Sequence, residues 1–342
     1  MRGRSAASPM DRRRFDEVLQ RGWGSRLRPN GAVVALPRGY SGMIGWRWRS
    51  GECDWVLKGQ PAERISEEQL AWVHGLCQHA GQRGIRWLPQ PLARPTGQTV
   101  YTAWERCWEV QKALPGLAHQ PPERMDRSRL TQVIQTLAQL HFALVDYAPE
   151  AALKAAPVPA VRVRLRRLEE YQSQLGQLQR EVSRRRDGDH ERCALAQRML
   201  ERFSHEAAAC YRSLRAVAEL SMPVGPCLRD VRPGDILWEE DELSGFVDPT
   251  AAGIDFPFID VVRLVGELED VPLDWAEIVE IYARAYPLPV GVDRLIGPLL
   301  ESSRWISVLN WIRWGVVQPR RGVSPEQVRE RIRQLARRLG IE

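Results

Sequence analysis

Between residues 31 and 58 the apolar positions come in short runs, GAVVALP and then WRWRSGECDWVLK, the second divided at Ser50-Gly51. Aromatic and β-branched runs bounded by glycine-containing turns predict strands. At Ser66 the spacing changes. Ser66 with Gln69 fits a capping box, and Leu70, Val73, Leu76 and Cys77 follow at helical intervals. Strand-like material returns in TVYTAWERCWEV (99–110) and stops at Leu114-Pro115-Gly116. The first third is thus expected to form a small, mostly antiparallel sheet with one helix, behind a helical extension at 1–30.

Beyond Pro122 the helical period dominates. Leu130, Val133, Ile134, Leu137, His141 and Leu144 share one face. After an Ala/Pro-rich linker (148–159), the Arg-rich segment 161–186 carries Val161, Leu165, Leu168, Leu175, Leu178 and Val182 as one stripe. A second helix is expected near 190–219. Two short strands, ILW (236–238) and LSGFV (243–247), flank the acidic turn Glu239 to Glu242. Helices resume near Phe258, with Val261, Leu264, Val265 and Leu268 on one side. The last helix is capped by Ser324-Pro325 with Gln327, is apolar at Val328, Ile332, Leu335 and Leu339, and stops at Gly340. The pattern predicts an α+β chain: a small β-rich lobe (31–116), then a large, mostly helical lobe (117–342). The second lobe would hold a helical insert (147–226) and functional loops at 228–249.

A length of 342 residues favours two lobes, and 44% hydrophobic with 27% charged residues is ordinary for a soluble protein. No apolar run is long enough to span a bilayer, and MRGRSAASPMDRRRF lacks the apolar segment of a secretory signal. A cytoplasmic protein without a membrane partner is expected. The six cysteines show no C-x-x-C, which argues against zinc and for reduced thiols. The 13 Trp follow no repeat, and most are expected in the core or at the lobe interface. A net charge of +6 admits nucleic acid or an anionic ligand such as a nucleotide. The excess arginines lie mostly off the apolar stripe of 161–186, as on a solvated helix face. No nucleic-acid-binding motif accompanies them, so nucleic acid is not an expected partner.

Candidate chemistry concentrates in Cys227–Pro249, CLRDVRPGDILWEEDELSGFVDP. A hairpin between the two strands would bring Asp235 and Asp248 to one end of a ribbon. Two such carboxylates repel unless a hard cation lies between them, and Mg²⁺ favours a few carboxylates, waters and phosphate oxygens. Asp230, on the loop before, would face whatever approaches that cation. Alternatively, all three are loop acids kept in water.

The order D-x-x-x-x-D, hairpin, D resembles the catalytic and metal-binding loops of protein kinases. It more closely resembles the aminoglycoside phosphotransferase and choline kinase-like family, whose run HGDLHPGNILW…GVIDF aligns with LRDVRPGDILW…GFVDP. The resemblance covers about 30 to 340 and implies a bilobal, protein kinase-like fold using ATP and Mg²⁺. It implies that Asp230 orients the acceptor hydroxyl and takes its proton, while Asp235 and Asp248 hold Mg²⁺. GYSGMIGWR (39–47) is similar to the phosphate loop, with Gly39, Ser41 and Gly42 as nucleotide-binding candidates. Lys58 matches the strand lysine that contacts the α/β-phosphates. Glu68 would be its helix partner, with Glu67 or Glu63 in reserve. WERCWEVQKALPG (104–116) resembles the adenine hinge, and LAQLHFAL (137–144) the family's LARLHAAL. Asp260 in FIDVVRLV matches YDLARLL, whose Asp braces the catalytic loop, and Arg229 would pair with a nearby acid. Taken alone, the glycine loop reads as a hairpin turn, Lys58 as a surface lysine, Asp260 as a helix cap, and the acids near 63–68 as helix-start residues.

The long helical segment between LAQLHFAL and Asp230 is typical of small-molecule phosphotransferases, where it helps wall the acceptor site. Four positions depart from the family's run: Leu228 for His, Arg229 for Gly, Asp235 for Asn, and Pro249 for Phe. The function implied is ATP-dependent phosphotransfer to a small-molecule acceptor bearing a hydroxyl group, with the Arg-rich insert favouring a neutral or anionic acceptor. The alternative is a catalytically impaired pseudokinase that binds nucleotide and acts in regulation or scaffolding.

Overall fold

The computed structural model describes residues 9–37, 41–119, 124–148, 154–185, 189–318 and 324–341. In chain order the elements begin with α1 (Pro9–Trp23), β1 (Val34–Ala35), β2 (Ile44–Ser50), β3 (Cys53–Pro61) and α2 (Glu67–Gln82). Then come β4 (Tyr101–Ala103), β5 (Arg106–Lys112), β6 (Leu117–Ala118) and α3 (Arg127–Ala143). β7 (Ala155–Pro157), α4 (Pro159–Ser183), α5 (His190–Arg215), β8 (Ser221–Pro223) and β9 (Gly225–Cys227) follow. The hairpin β10 (Ile236–Glu239) and β11 (Glu242–Phe246) precedes β12 (Gly253–Asp255) and α6 (Ile259–Val265). α7 (Trp275–Ala283), α8 (Asp293–Ile312) and α9 (Pro325–Arg338) close the chain. This is a mixed α+β fold. It divides into two compact units, Met1–Gln120 with Gly234–Ala252, and Pro121–Pro233 with Gly253–Glu342.

The first unit is built on an antiparallel sheet of order β1-β2-β3-β5-β4. β2 and β3 pair from Ile44↔Gly59 to Ser50↔Cys53, and the chain turns at Gly51 in the left-handed region (φ 61°). Both faces of the sheet are covered, which is why the middles of β3 and β5 are buried throughout. On one face Phe15, Val18, Leu19 and Trp23 of α1 pack on Trp46, Trp48, Leu57, Trp108 and Val110. Burying aromatic side chains of this size stabilises by roughly 1.5–3 kcal/mol each. On the other face Leu70 of α2 joins Ile65, Val100 and Cys107. The Ser66 hydroxyl starts α2 by accepting the Gln69 N–H at 3.2 Å.

The strand-like stretch 99–110 forms the hairpin β4–β5, with Tyr101↔Trp108 and Ala103↔Arg106 paired. Its turn places Trp104 (φ 52°) and Glu105 (φ 57°) in the left-handed region. Asn-Gly is the usual signal for such a turn, and its absence hid this one.

The same unit contains a second sheet of order β11-β10-β6. Gly116 supplies the tight approach before β6. Its φ is 91°, and a Cβ there would lie 2.6 Å from the Trp238 carbonyl oxygen. The Phe246 N–H donates to the Trp87 carbonyl at 2.7 Å, anchoring the hairpin within this unit.

The second unit is helical, with the short ladders β7–β8 and β9–β12. α4 packs on α5 and α8 through Val161, Leu165, Leu168, Leu178 and Val182, while Arg162, Arg166, Arg167 and Arg180 stay exposed. α9 begins with the reciprocal Ser324–Gln327 capping box and buries Val328, Ile332 and Leu335. No described helix is long and apolar enough to cross a membrane. All six cysteines are free thiols.

Candidate active site

The loop after β9 is held by one acid. Asp260, in the first turn of α6, is fully buried and accepts the backbone N–H groups of Leu228 (2.7 Å) and Arg229 (2.5 Å). It also meets His141 Nε2 at 2.9 Å, and His141 Nδ1 meets the Tyr282 hydroxyl at 2.7 Å. A carboxylate only accepts, so Nε2–H donates to Asp260, and in a neutral ring Nδ1 accepts from Tyr282. Burial raises Tyr282 well above the ordinary tyrosine value, which keeps that hydroxyl a donor. Arg229 sits at φ 66°, at the position where the resembled family has glycine. A side chain there costs about 1 kcal/mol, which the Asp260 bond to its N–H offsets. Leu228 fills a buried apolar position instead of providing a polar support.

Asp230 keeps 38% of its side chain exposed, and its carboxylate is held by two guanidinium groups. Arg232 grips both oxygens (3.1 and 2.6 Å), and Arg263 Nε donates at 3.0 Å. Arg263 passes the chain of charge to Glu267 at 2.5 Å, and Glu267 also meets Arg331 (2.7 Å) and Arg338 (3.4 Å) of α9. Burial works against Arg263, but Glu267 and Asp230 hold it above the ordinary arginine value. Burial likewise opposes the Glu267 charge, yet Arg263 and Arg331 keep it well below the carboxylate range. Nearby, burial pulls Arg164 down to about 10, and its guanidinium bonds the Ser303 hydroxyl.

In the first unit, Asp235 and Asp248 stand at the same end of the β10–β11 ribbon. Ile236 pairs with Phe246, and the Val247 N–H donates to the Asp235 carbonyl at 2.8 Å. Asp248 is left-handed (φ 60°, ψ 53°), and its Oδ1 accepts the Thr250 hydroxyl at 3.0 Å. Pro249 opens the 3₁₀ turn Pro249–Ala251, a position where its missing N–H costs nothing. That turn packs on α2. Among the described residues no group of three or more His, Cys, Asp or Glu converges as a metal site. Two hard carboxylates at one ribbon end suit Mg²⁺, which takes its remaining oxygens from water and phosphate.

Lys58 is 6% exposed and lies on β3 directly across from Glu109 of β5, itself 4% exposed. Glu109 Oε2 meets His74 Nε2 of α2 at 2.8 Å, and His74 Nδ1 meets the Thr99 hydroxyl at 2.7 Å. Burial would raise Glu109, but His74 and then Lys58 bring it below the ordinary glutamate value.

Glu68 takes a different place from the one the family resemblance assigns it. It is exposed, and its own backbone N–H and the Ser66 side chain lower its pKa. Two residues from the buried Leu70, it points about 200° round the helix. It makes no ion pair with Lys58 among the described residues. Glu67 bonds the Thr102 hydroxyl at 2.6 Å, and Glu63 is exposed in a turn.

Gly39 lies outside the described residues. Ser41 Oγ accepts the Met43 N–H at 3.3 Å, and Gly42 turns at φ 74°. Arg106 donates to the carbonyls of Gly42 (3.0 Å) and Gly59 (2.8 Å), fastening this loop to the strand that carries Lys58. Sequence reasoning missed Glu109, His74, Arg106, Arg263 and Glu267. The signals for the first two were an acid inside an apolar strand and a histidine on the buried face of a helix.

Comparison with known proteins bears on the family and the fold. A model described as "Phosphotransferase enzyme family" matches residues 32–295. Homoserine kinase of Granulibacter bethesdensis is 25% identical over 189 residues, 54% of this chain and 49% of that protein. The match thus spans about half the length of that curated relative. A solved spectinomycin phosphotransferase, in complex with ADP and spectinomycin, superposes with a TM-score of 0.64 at 11% identity. It covers 94% of this chain and 93% of its own. Amicoumacin kinase in complex with AMP-PNP and Ca²⁺ gives 0.61 at 12% identity, over 95% of this chain and 93% of its own. An aminoglycoside phosphotransferase from Alicyclobacillus acidocaldarius gives 0.56 at 12% identity, over 99% and 98%. At these identities the likeness to the solved structures is one of fold.

Proposed function

The chain belongs to the phosphotransferase enzyme family, and from that premise we propose that it moves the γ-phosphoryl group of ATP to a hydroxyl of a small molecule. The observation that carries this reading is the Asp230 loop, built from a left-handed Arg229 and two backbone bonds to the buried Asp260. Such effort spent on one loop fits a group that must be aimed. Asp230 would orient the acceptor hydroxyl and take its proton, with Arg232 and Arg263 fixing the direction of its oxygens. Lys58 would bind the α/β-phosphates, beneath the loop that carries Ser41 and Gly42. Asp235 and Asp248 would hold Mg²⁺, which neutralises phosphate charge when bound. Phosphoryl transfer needs positioning and charge compensation more than covalent help, and these residue types supply both.

Relatives support the class of reaction and leave the acceptor open. Their names carry homoserine, spectinomycin and amicoumacin, which are chemically unlike one another. Nucleotide complexes among the structural relatives support a nucleotide site. ATP as donor and six free thiols fit a cytoplasmic protein.

A second reading, a nucleotide-binding regulatory protein, is favoured by one observation: Arg232 and Arg263 already occupy the Asp230 carboxylate. The two are separated by measuring Mg²⁺-dependent ADP formation across a panel of hydroxyl-bearing acceptors. Acceptor-stimulated turnover supports transfer. Nucleotide binding without turnover on any acceptor supports the regulatory reading.

A further inference from the structure

We propose that Glu109, and not an acid of α2, is the carboxylate that steers Lys58 onto the nucleotide phosphates, and that His74 aims Glu109. This rests on the nucleotide-binding reading of Lys58 given above. The ladder supplies the first reason. Lys58 and Glu109 are direct partners across β3 and β5, so their side chains leave the same face of the sheet with Cβ atoms roughly 5 Å apart. That face is the one α2 covers, because His74 reaches Glu109 there while Leu57 and Trp108 point toward α1. Both groups are buried, and although no ion pair among the described residues joins them, Lys58 is near enough for its charge to lower the Glu109 pKa.

The second reason is how Glu109 is held. Its Oε2 is occupied by His74, and its other oxygen makes no hydrogen bond to a described residue. His74 is fixed from both sides, by Glu109 at Nε2 and Thr99 at Nδ1, so the imidazole sets the carboxylate's direction. Cys77, one helical turn along α2, shares this environment. Burial, with Glu109 adding to it, pushes its thiol up to about 12, so it stays neutral and does not compete for Lys58.

The consequence is mechanical. An acid on a helix swings away from the lysine when the helix moves, whereas an acid on the neighbouring strand keeps its register with the lysine. Here α2 follows the sheet through His74, and the carboxylate that draws Lys58 is set in place before nucleotide arrives.

The experiment is calorimetric titration with Mg²⁺-AMP-PNP and, separately, with adenosine. It compares wild type with Lys58→Met, Glu109→Gln, their double variant, His74→Leu, His74→Gln and Glu68→Gln. Circular dichroism confirms that each variant is folded at the working temperature. Lys58→Met and Glu109→Gln are each expected to weaken AMP-PNP about tenfold, the double variant no more than either alone, and adenosine binding to stay unchanged. His74→Leu should lose several-fold, and His74→Gln, which still donates to Glu109, should recover part of it. Glu68→Gln should bind like wild type. A structural role for Glu109 would instead lower both ligands together. Glu109→Gln with wild-type AMP-PNP affinity, or losses that multiply in the double variant, overturns the pairing while leaving Lys58 as a phosphate ligand. A Lys58→Met that binds AMP-PNP like wild type removes the phosphate role of Lys58, and this inference with it. Should Glu109→Gln not fold, Glu109→Asp retains the charge, shifts its position, and is expected to show the same selective loss for AMP-PNP.

Discussion

Each unit contains a buried histidine that links a helix to a carboxylate, and the two pairs are built for different work. In the second unit His141 and two backbone N–H groups surround Asp260. In the first unit His74 takes one oxygen of Glu109, which lies across the ladder from Lys58. The partners of Asp260 are mostly main chain, so it fixes a loop's shape. Glu109 lies across the ladder from Lys58, whose charge lowers its pKa, so it acts on a charge. A buried acid can serve as a brace or as a counter-ion, and its partners decide which.

Asp260→Ala tests the brace and should have the largest effect. It leaves the Leu228 and Arg229 N–H groups and His141 buried without an acceptor, a loss on the order of 3–5 kcal/mol in urea unfolding. Transfer should fall with it by about 100-fold or more, because the Asp230 loop loses its shape. If Glu109→Gln costs as much stability as Asp260→Ala, the distinction between brace and counter-ion does not hold.

Glu267→Gln extends the contrast to an acid surrounded by Arg263, Arg331 and Arg338. It should cost about 3 kcal/mol at pH 7. The Glu267 pKa in the folded protein lies below the ordinary 4.5. Its contribution is therefore complete above that pH and fades as pH falls through the folded value. The deficit of the variant should shrink accordingly in acid, measured by urea unfolding as a function of pH. A deficit that stays constant between pH 7 and strongly acid solution contradicts the ion-pair account.

Arg229→Gly should have the smallest effect. Glycine relieves the left-handed backbone at φ 66° but gains freedom in the unfolded chain. The two terms nearly cancel, leaving a net change within about 1 kcal/mol. A larger loss would mean that the Arg229 side chain, which lies against Gly253, carries the loop's stability.

The two pairs also differ in how well they can be read from sequence. His141 and Asp260 lie in runs, LAQLHFAL and FIDVVRLV, whose texture accompanies the loop they support. The hairpin carrying Asp235 and Asp248, the Ser50-Gly51 turn and the Ser66 and Ser324 caps are local features with local signals. Glu109 and His74 are 35 residues apart and meet only when β5 pairs with β3 and α2 lies over both. No spacing rule marks such a meeting, and the family resemblance puts Glu68 forward as the Lys58 partner instead. The β4–β5 hairpin was hidden for another reason: its turn uses Trp104 and Glu105, where a turn of that geometry usually uses glycine or asparagine. The ties from Asp230 to Arg263 and from Glu267 to α9 likewise depend on distant helices meeting.

The most direct test of the central claim is mass spectrometry of the acceptor after incubation with Mg²⁺-ATP, using wild type and Asp230→Asn with AMP-PNP affinity measured on the same preparations. The account predicts a phosphorylated acceptor with wild type. It predicts a loss of about 100-fold or more in its rate of formation with Asp230→Asn, and equal AMP-PNP affinity in the two proteins. Phosphorylated acceptor formed at the same rate by both proteins, or by neither while both bind AMP-PNP, would contradict it.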